Sequence, residues 1–119
     1  MSLLLSILVL IVALEHLFIM WLEITVPSPR AARAFNISLE KLQQPEIRTL
    51  FANQGLYNGF LAAGLVWGLT LGDAGLSVKV FFLVCVLIAG MYGAATASRK
   101  NLFVQALPAA IGLALLLLA

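Results

Sequence analysis

The chain has 119 residues, of which 63% are hydrophobic and 10% charged, and its mean hydropathy is +1.10. So few charged side chains do not cover the surface of a water-soluble domain of this size. The net charge of +2 is too small to indicate nucleic-acid binding, and the one cysteine, Cys85, excludes an internal disulfide. Composition therefore predicts one integral membrane domain over residues 1–119, with no room for a soluble domain.

Apolar runs predict four membrane-spanning helices, because roughly 20 apolar residues cross a ~30 Å hydrocarbon layer. The expected spans cover residues 2–22, 47–71, 78–97 and 102–119. Glu15-His16 interrupts the first run and no basic residues precede it, which favours a retained span over a signal peptide. The predicted fold class is all-α, an integral membrane four-helix bundle.

The long connection of residues 23–46 carries its own helix signals. Pro27-Ser28-Pro29 ends the first helix, and its serine is expected to cap a short helix. Ser38 is a second start signal, and Pro45 suits the first turn of the next span. We expect a short helix lying at the membrane interface, with three apolar side chains among the lipid headgroups: Phe35, Ile37 and Leu39.

The shorter connections and the basic residues predict the orientation. Turns are expected at Gly72-Asp73-Ala74-Gly75 and at residues 98–101. The second connection has only Lys79 nearby, whereas the first and third carry Arg30, Arg33, Lys41, Arg48, Arg99 and Lys100. The positive-inside rule places loops one and three in the cytoplasm and both termini outside. No targeting signal is evident, so we expect a bacterial inner membrane.

Polar groups inside the spans are candidates for function, because they are costly in lipid. The first span carries Glu15 and His16, with Glu23 two turns later. The second span carries four polar residues, Asn53, Gln54, Tyr57 and Asn58. At ~100° per residue each set fits on one helix face. Each of these two spans is therefore predicted to have one polar stripe.

Depth predicts that the two stripes meet. Glu15 lies about 12 Å from the cytoplasmic end of its span, and residues 53–58 lie roughly 9–16 Å from theirs. Adjacent antiparallel spans would then enclose one buried polar site. Tyr92 and Gln105 are expected to close its wall. Glu23 is interpreted instead as an interfacial residue that contacts headgroups or an arginine.

Small residues predict close helix packing in the outer half of the bundle. The second span continues with Gly64, Gly68 and Gly72, and the third offers Gly90 and Gly93. Such a small-xxx-small pattern lets another helix approach closely. A tightly packed outer half and a wide, polar inner half predict a cytoplasm-facing pocket with a closed floor.

Other kinds of site are weighed against this pocket. The amides and the tyrosine could serve only as interhelical hydrogen bonds, worth about 0.6–2 kcal/mol each. One histidine and one cysteine in different places do not make a transition-metal site, so no metal is predicted. Nucleophilic triads, phosphate loops and dinucleotide fingerprints are absent from the sequence, and the cofactor is left unknown.

One run of residues is similar to a known family. The sequence Asn-Gln-Gly-Leu-Tyr-Asn at 53–58 resembles small bacterial four-span membrane proteins grouped as domain of unknown function 1304. Glu15-His16 and the run Ala-Gly-Met-Tyr-Gly-Ala at 89–94 fit the same resemblance, which covers nearly the whole chain. It implies the four-span fold and supplies no activity.

A fainter resemblance is to the membrane-associated eicosanoid and glutathione metabolism enzymes, which are trimeric four-helix proteins. Arg48, Asn53 and Tyr57 echo the polar second span of those enzymes. The glutamate that follows the asparagine there is missing here, with Leu56 near its place, and the arginine spacing differs. Glutathione chemistry is therefore not carried over.

Three functional hypotheses follow. The leading one is a pocket for a small amphipathic or lipid-like ligand, in which Glu15 and His16 exchange a proton and the polar residues of the second span orient the ligand. Whether a reaction follows binding is left open. The second is an oligomeric transport subunit for small solutes or protons. The third is a scaffold whose glycine faces bind a partner helix. The expected partners are membrane lipid and further copies of the chain.

Overall fold

The computed structural model describes residues 3–96 and 102–118, and every regular element in those ranges is helical. The all-α part of the prediction is confirmed, whereas the polar turn expected at 98–101 lies outside the described residues. The α-helices are α1 (Leu3–Ile24), α2 (Pro29–Phe35), α3 (Leu39–Leu42), α4 (Pro45–Thr70), α5 (Leu76–Thr96) and α6 (Leu107–Leu118).

The helix starts in the long connection follow the predicted caps. The Ser28 side chain accepts a hydrogen bond from the Ala31 N–H at 3.0 Å, and the Ser38 side chain accepts one from the Lys41 N–H at 3.2 Å. Each bond satisfies a backbone donor that has no partner inside the first turn. Helix α4 begins at Pro45, as expected. Local signals therefore define α2, α3 and the start of α4.

In the described part of the chain after α4, two helical turns are not α-helical. The turn predicted between the second and third spans is a 3-10 helix, Gly72–Gly75. Residues Leu102–Ala106 form a π-helical turn directly before α6. Pro108 in α6 has no backbone N–H to give an α-helical hydrogen bond to this turn. The fourth predicted span is therefore a π-helical turn followed by a helix of 12 residues.

The chain divides into two compact units. The first unit combines residues 1–14 with 61–119, and the second unit is residues 15–60. Both α1 and α4 contribute residues to each unit: 3–14 and 61–70 to the first, 15–24 and 45–60 to the second. The first unit has an apolar core shared by four helices, whose buried members are Leu5, Val9, Val12, Ala13, Leu65, Leu83, Val86, Ala109 and Leu116.

Glycines permit close contacts in the first unit. A Cβ atom on Gly64 would overlap the Phe82 ring, and one on Gly90 would lie 2.5 Å from the backbone nitrogen of Ala106. Gly93 is half-buried on α5. Gly64 therefore lies close to Phe82 on α5, and Gly90 lies close to Ala106 in the π-helical turn. Both contacts agree with the close packing predicted for these glycines.

Gly72 corrects the predicted glycine stripe. It lies beyond the end of α4 with φ of 61°, and no atom is within 4 Å of the place a Cβ would occupy. A positive φ favours glycine because other residues clash with their own carbonyl there. Gly72 therefore ends the helix and does not pack against another one.

Lys79 is a buried charged residue in the first unit. Its side chain is 1% exposed, and its Nζ donates to the Gly72 carbonyl oxygen at 3.0 Å. Its aliphatic stem passes Gly68, where a Cβ would come 2.6 Å from the Lys79 Cγ. A cation at this place complements the unpaired carbonyls at the C-terminal end of α4.

The second unit has a small apolar core of its own around α2 and α3. Val26, Ala31 and Leu42 are buried, and the Phe35 and Phe51 rings meet with centroids 5.1 Å apart. Partly buried side chains around this core are Ala32, Phe35, Ile37, Ile47 and Phe51. Phe35 and Ile37 thus pack partly against this core, whereas Leu39 is exposed, and the contact of these three side chains with lipid headgroups stays a prediction.

Candidate functional site

The ionisable residues of α1 in the second unit are mostly interior. His16 is 0% exposed and Glu23 is 5% exposed, while the Glu15 side chain is 25% exposed. Glu23 is the seventh residue after His16, which places the two on nearly the same helix face. The polar stripe that the sequence predicts on α1 thus has two interior members and one at its edge.

A buried hydrogen bond joins α1 to α4. The Asn58 side-chain amide donates to Glu23 Oε1 at 2.5 Å, and the same nitrogen donates to the Gln54 backbone carbonyl at 3.2 Å. Both amide hydrogens of Asn58 are therefore used. A hydrogen bond to a charged or strongly polar partner in a dry interior fixes the two helices in one register.

Close approach of the two helices makes this bond possible. A Cβ on Gly55 would lie 2.9 Å from Ile24 Cγ1, 3.0 Å from the Met20 carbonyl oxygen and 3.1 Å from Glu23 Cβ. One turn later, a Cβ on Gly59 would meet the Met20 sulfur at 2.6 Å. The two glycines next to Asn58 therefore let α4 lie directly on α1.

This register corrects the predicted pairing of the polar stripes. Asn58 lies beside Glu23, which is eight residues, or about 12 Å, from Glu15 along α1. The interpretation of Glu23 as a headgroup or arginine contact is also wrong, because its carboxylate is buried and bonded to Asn58. The sequence placed Glu23 on the same face as His16, but its partner, Asn58, lies on another helix 35 residues away.

Glu15 carries an unsatisfied group. Its Oε1 atom is buried and has no hydrogen-bond donor in the described part of the chain. The His16 Nδ1 atom lies 4.0 Å from this oxygen, too far for a hydrogen bond. Among residues 3–96 and 102–118, no three His, Cys, Asp or Glu side chains converge as metal ligands.

The remaining predicted site residues occupy different environments. Asn53, Gln54 and Tyr57 are exposed on α4, and the Tyr57 ring lies 6.2 Å from that of Phe60. Of the four residues predicted for the site on this helix, only Asn58 is buried. In the first unit, Tyr92 is exposed on α5 and Gln105 is buried in the π-helical turn. Their assignment to the ligand-binding wall stays a prediction.

The features described define a class of protein. Within residues 3–96 and 102–118, this all-α chain has two helical stretches long and apolar enough to cross a membrane, Leu3–Ile24 and Gly72–Ala95, and a shorter apolar stretch, Phe103–Leu118. Helix α4, with 26 residues, is longer than these stretches but carries two exposed amides, Asn53 and Gln54, and a buried asparagine, Asn58, near its middle.

Comparison with known proteins gives the family. The model of the family described as "Protein of unknown function (DUF1304)" matches residues 10–117, so the chain belongs to this family. The uncharacterized protein YpaA of Lactococcus lactis subsp. lactis (strain IL1403) is 36% identical over 106 residues, which cover 88% of this chain and 89% of that relative. No solved structure matches the chain. The family predicted from the run at 53–58 is confirmed.

Proposed function

We propose that the protein is an integral membrane protein that binds a small amphipathic ligand through the polar residues of its second unit. Its four apolar segments would cross the bilayer, with loops one and three in the cytoplasm. Two features of the molecule support this proposal: the apolar surface that the helices expose, and the unsatisfied carboxylate on α1.

Exposed apolar side chains support the proposal that the helices lie in a membrane. Soluble monomers rarely expose apolar patches larger than a few hundred Å², whereas α1 exposes large apolar side chains along its whole length. They are Leu3, Leu4, Ile7, Leu10, Ile11, Leu14, Leu17, Phe18, Trp21 and Ile24. Helix α6 and the turn before it expose Phe103, Val104, Leu107, Ile111, Leu115, Leu117 and Leu118. A bilayer is the solvent that such helices require.

The single observation that carries ligand binding is the buried Glu15 oxygen without a donor. A buried acceptor that lacks a hydrogen bond costs free energy, and native structures leave few such groups unexplained. A ligand with an N–H or O–H group would supply the missing donor. The ligand class is therefore a molecule with a donor-bearing polar head and an apolar tail that fits among the helices.

His16 and the Glu23–Asn58 bond would complete this site. His16 follows Glu15 directly, and its imidazole is the group suited to exchange a proton with a carboxyl near neutral pH. The Glu23–Asn58 bond holds α1 and α4 in register and so fixes the helix that bears Glu15. Asn53, Gln54 and Tyr57 are proposed to orient the ligand head.

Native mass spectrometry tests the proposal on protein gently extracted from its own membrane. The wild type should carry a discrete additional mass that Glu15→Gln loses, since the substitution changes the acceptor that the ligand satisfies. Glu40→Gln is the matched control, because Glu40 is exposed on α3. An additional mass that survives in Glu15→Gln, or a wild type without one, contradicts ligand binding at Glu15.

A proton-linked transport subunit is the second candidate, and the adjacent Glu15 and His16 favour it. Carboxylates and histidines within membrane spans commonly relay protons. The exposed amides of Asn53 and Gln54 would then need cover in lipid, which a second copy of the chain would provide. Proton flux in liposomes that disappears in Glu15→Gln would favour transport; equal flux in both proteins would exclude it.

A further inference from the structure

A cleft lies where α1 meets α2, away from Glu15. Its volume is about 390 Å³, and six residues line it: Trp21, Thr25, Ser28, Pro29, Arg30 and Arg33. All six belong to the second unit. The size falls within the range of small-ligand sites in proteins. Nothing in the proposed site at Glu15 uses these residues.

Local structure directs both arginines to this cleft. Arg30 and Arg33 are three residues apart on α2, so their side chains lie on one helix face. The opposite face is anchored by Ala31, which is fully buried against Leu42 and Val26. The Ser28 cap fixes the start of the same helix. The two guanidinium groups therefore lie side by side on a helix that is held in place by the burial of Ala31 and by the Ser28 cap.

Arg30 is also held by an aromatic ring. Its guanidinium carbon lies 5.1 Å from the centre of the Trp21 ring, within the range of a cation–π contact. Neither Arg30 nor Arg33 has a carboxylate within 4.0 Å in the described part of the chain. The nearby acid on α1, Glu23, is bonded to Asn58 instead. The cleft thus carries two positive charges that no described acid neutralises.

These groups match a phosphate. Guanidinium groups bind phosphate oxygens through paired hydrogen bonds. Ser28 Oγ accepts from the Ala31 N–H, which leaves its hydroxyl hydrogen available for an acceptor such as a phosphate oxygen. The Thr25 hydroxyl donates to the Trp21 carbonyl at 2.6 Å, so it contributes to the wall and not to the recognition.

The surroundings favour a phosphate that belongs to a lipid. Trp21 lies in the last turn of α1, and tryptophan is enriched at the membrane interface. The exposed Phe18 ring lies 5.9 Å from the Trp21 ring, so an apolar surface continues from the cleft along the helix. A lipid could place its headgroup phosphate in the cleft and an acyl chain along these rings.

We propose that the cleft formed by Trp21, Ser28, Arg30 and Arg33 is a specific site for the headgroup phosphate of an anionic membrane phospholipid. This proposal rests on the membrane embedding proposed above and is independent of the ligand at Glu15. It differs from general attraction of basic loops to anionic lipid, because it assigns the affinity to two arginines out of several basic residues in the same unit.

Lipid titration by native mass spectrometry tests this site, with phosphatidylglycerol and phosphatidylcholine as probes added to the delipidated full chain in detergent. The double variant Arg30→Ala/Arg33→Ala should bind phosphatidylglycerol at least about tenfold more weakly than the wild type, because two charge-assisted contacts are lost. Lys41→Ala/Arg48→Ala is the matched control, since it removes the same charge from exposed positions of the same unit. It should bind as the wild type does.

A second pair of variants separates binding from folding. Arg30→Lys/Arg33→Lys keeps the charge and loses the paired geometry, so it should bind with intermediate affinity. The Trp67→Phe background leaves Trp21 as the one remaining tryptophan, and its emission should shift when phosphatidylglycerol binds. Glu15→Gln should bind phosphatidylglycerol normally, which keeps the test apart from the proposed function.

The outcomes divide clearly. The lipid site is supported if the wild type prefers phosphatidylglycerol over phosphatidylcholine and only the Arg30 and Arg33 variants lose this preference. Equal losses in both double alanine variants overturn it in favour of diffuse charge attraction. In a third outcome, glycerol 3-phosphate or inorganic phosphate competes for the cleft as effectively as the lipid does. That result would assign the cleft to a soluble phosphate compound and overturn the lipid proposal.

Discussion

The two units of the chain solve the problem of helix contact differently. In the first unit, α1, α4, α5 and α6 share an apolar core, and glycines such as Gly90 remove side chains where backbones approach. In the second unit, glycines again bring α1 and α4 together, but the contact carries a carboxylate–amide hydrogen bond between Glu23 and Asn58. Helices α1 and α4 take part in both units, so the kind of residue that holds them changes along their length.

The kind of helix contact decides which unit can bind a polar ligand. An apolar contact between close-packed helices depends on shape alone and leaves no polar group to engage a ligand. A polar contact depends on complete hydrogen bonding, and Glu15 in the second unit is the group whose hydrogen bonding is incomplete. The candidate sites at Glu15 and at Arg30 both belong to the second unit.

The largest effect should come from breaking the shape-dependent contact. Gly90→Ala places a methyl group against the backbone of Ala106, which cannot rotate away, and should lower stability by about 1–3 kcal/mol. Gly112→Ala is the control, because its Cβ would lie 3.7 Å from Leu83 Cδ1, an ordinary contact. Thermal unfolding in detergent, followed by circular dichroism, measures both. Equal midpoints for the two variants would refute the close contact at Gly90.

An effect of similar size should come from breaking the polar contact. Glu23→Leu leaves the Asn58 amide buried without its acceptor and should cost about 1–3 kcal/mol. Asn58→Leu leaves the carboxylate without its donor, at a comparable cost. The double variant should recover part of the loss, since replacing both partners leaves neither one unsatisfied. Additive losses in this double-mutant cycle, measured by the same unfolding assay, would show that the two side chains do not interact.

The smallest effect should come from the cap of α2. Ser28→Ala removes the acceptor of the Ala31 N–H and should cost about 1 kcal/mol. Ser38→Ala removes the corresponding bond at the exposed start of α3 and is the comparison within the same unit. Hydrogen exchange of the Ala31 amide should accelerate in Ser28→Ala and stay unchanged in Ser38→Ala. Unchanged exchange at Ala31 in both variants would contradict the cap.

Local signals made much of the fold predictable. Serine at positions 28 and 38 and proline at 45 act within one helical turn, so the sequence alone places α2, α3 and the start of α4. The family was predictable for a related reason, because the run at 53–58 is specific and continuous. The number of membrane spans and their orientation stay predictions, with α1 and the α5 segment long and apolar enough to cross.

Features that depend on distant residues were not predictable. The Glu23–Asn58 bond joins positions 35 residues apart, and depth counted from expected helix ends placed Asn58 opposite the wrong residue. The two helix ends were predicted to within about two residues, but they are not level: α4 begins 13 residues before Asn58, whereas Glu23 is next to the end of α1. The role of Gly72 was missed because the glycine spacing continues past Thr70, where the helix itself stops.

The burial of Lys79 bears on how the orientation of this protein can be mapped. Topology is often read by treating intact cells with an amine reagent that does not cross the membrane. Lys79 lies next to the second connection but is enclosed, with its ammonium group held by the Gly72 carbonyl. Lys79 would resist modification on either side of a bilayer, so a lack of labelling at Lys79 would give no information about topology. Lys41, exposed on α3, is the residue whose labelling would report the side on which the first connection lies.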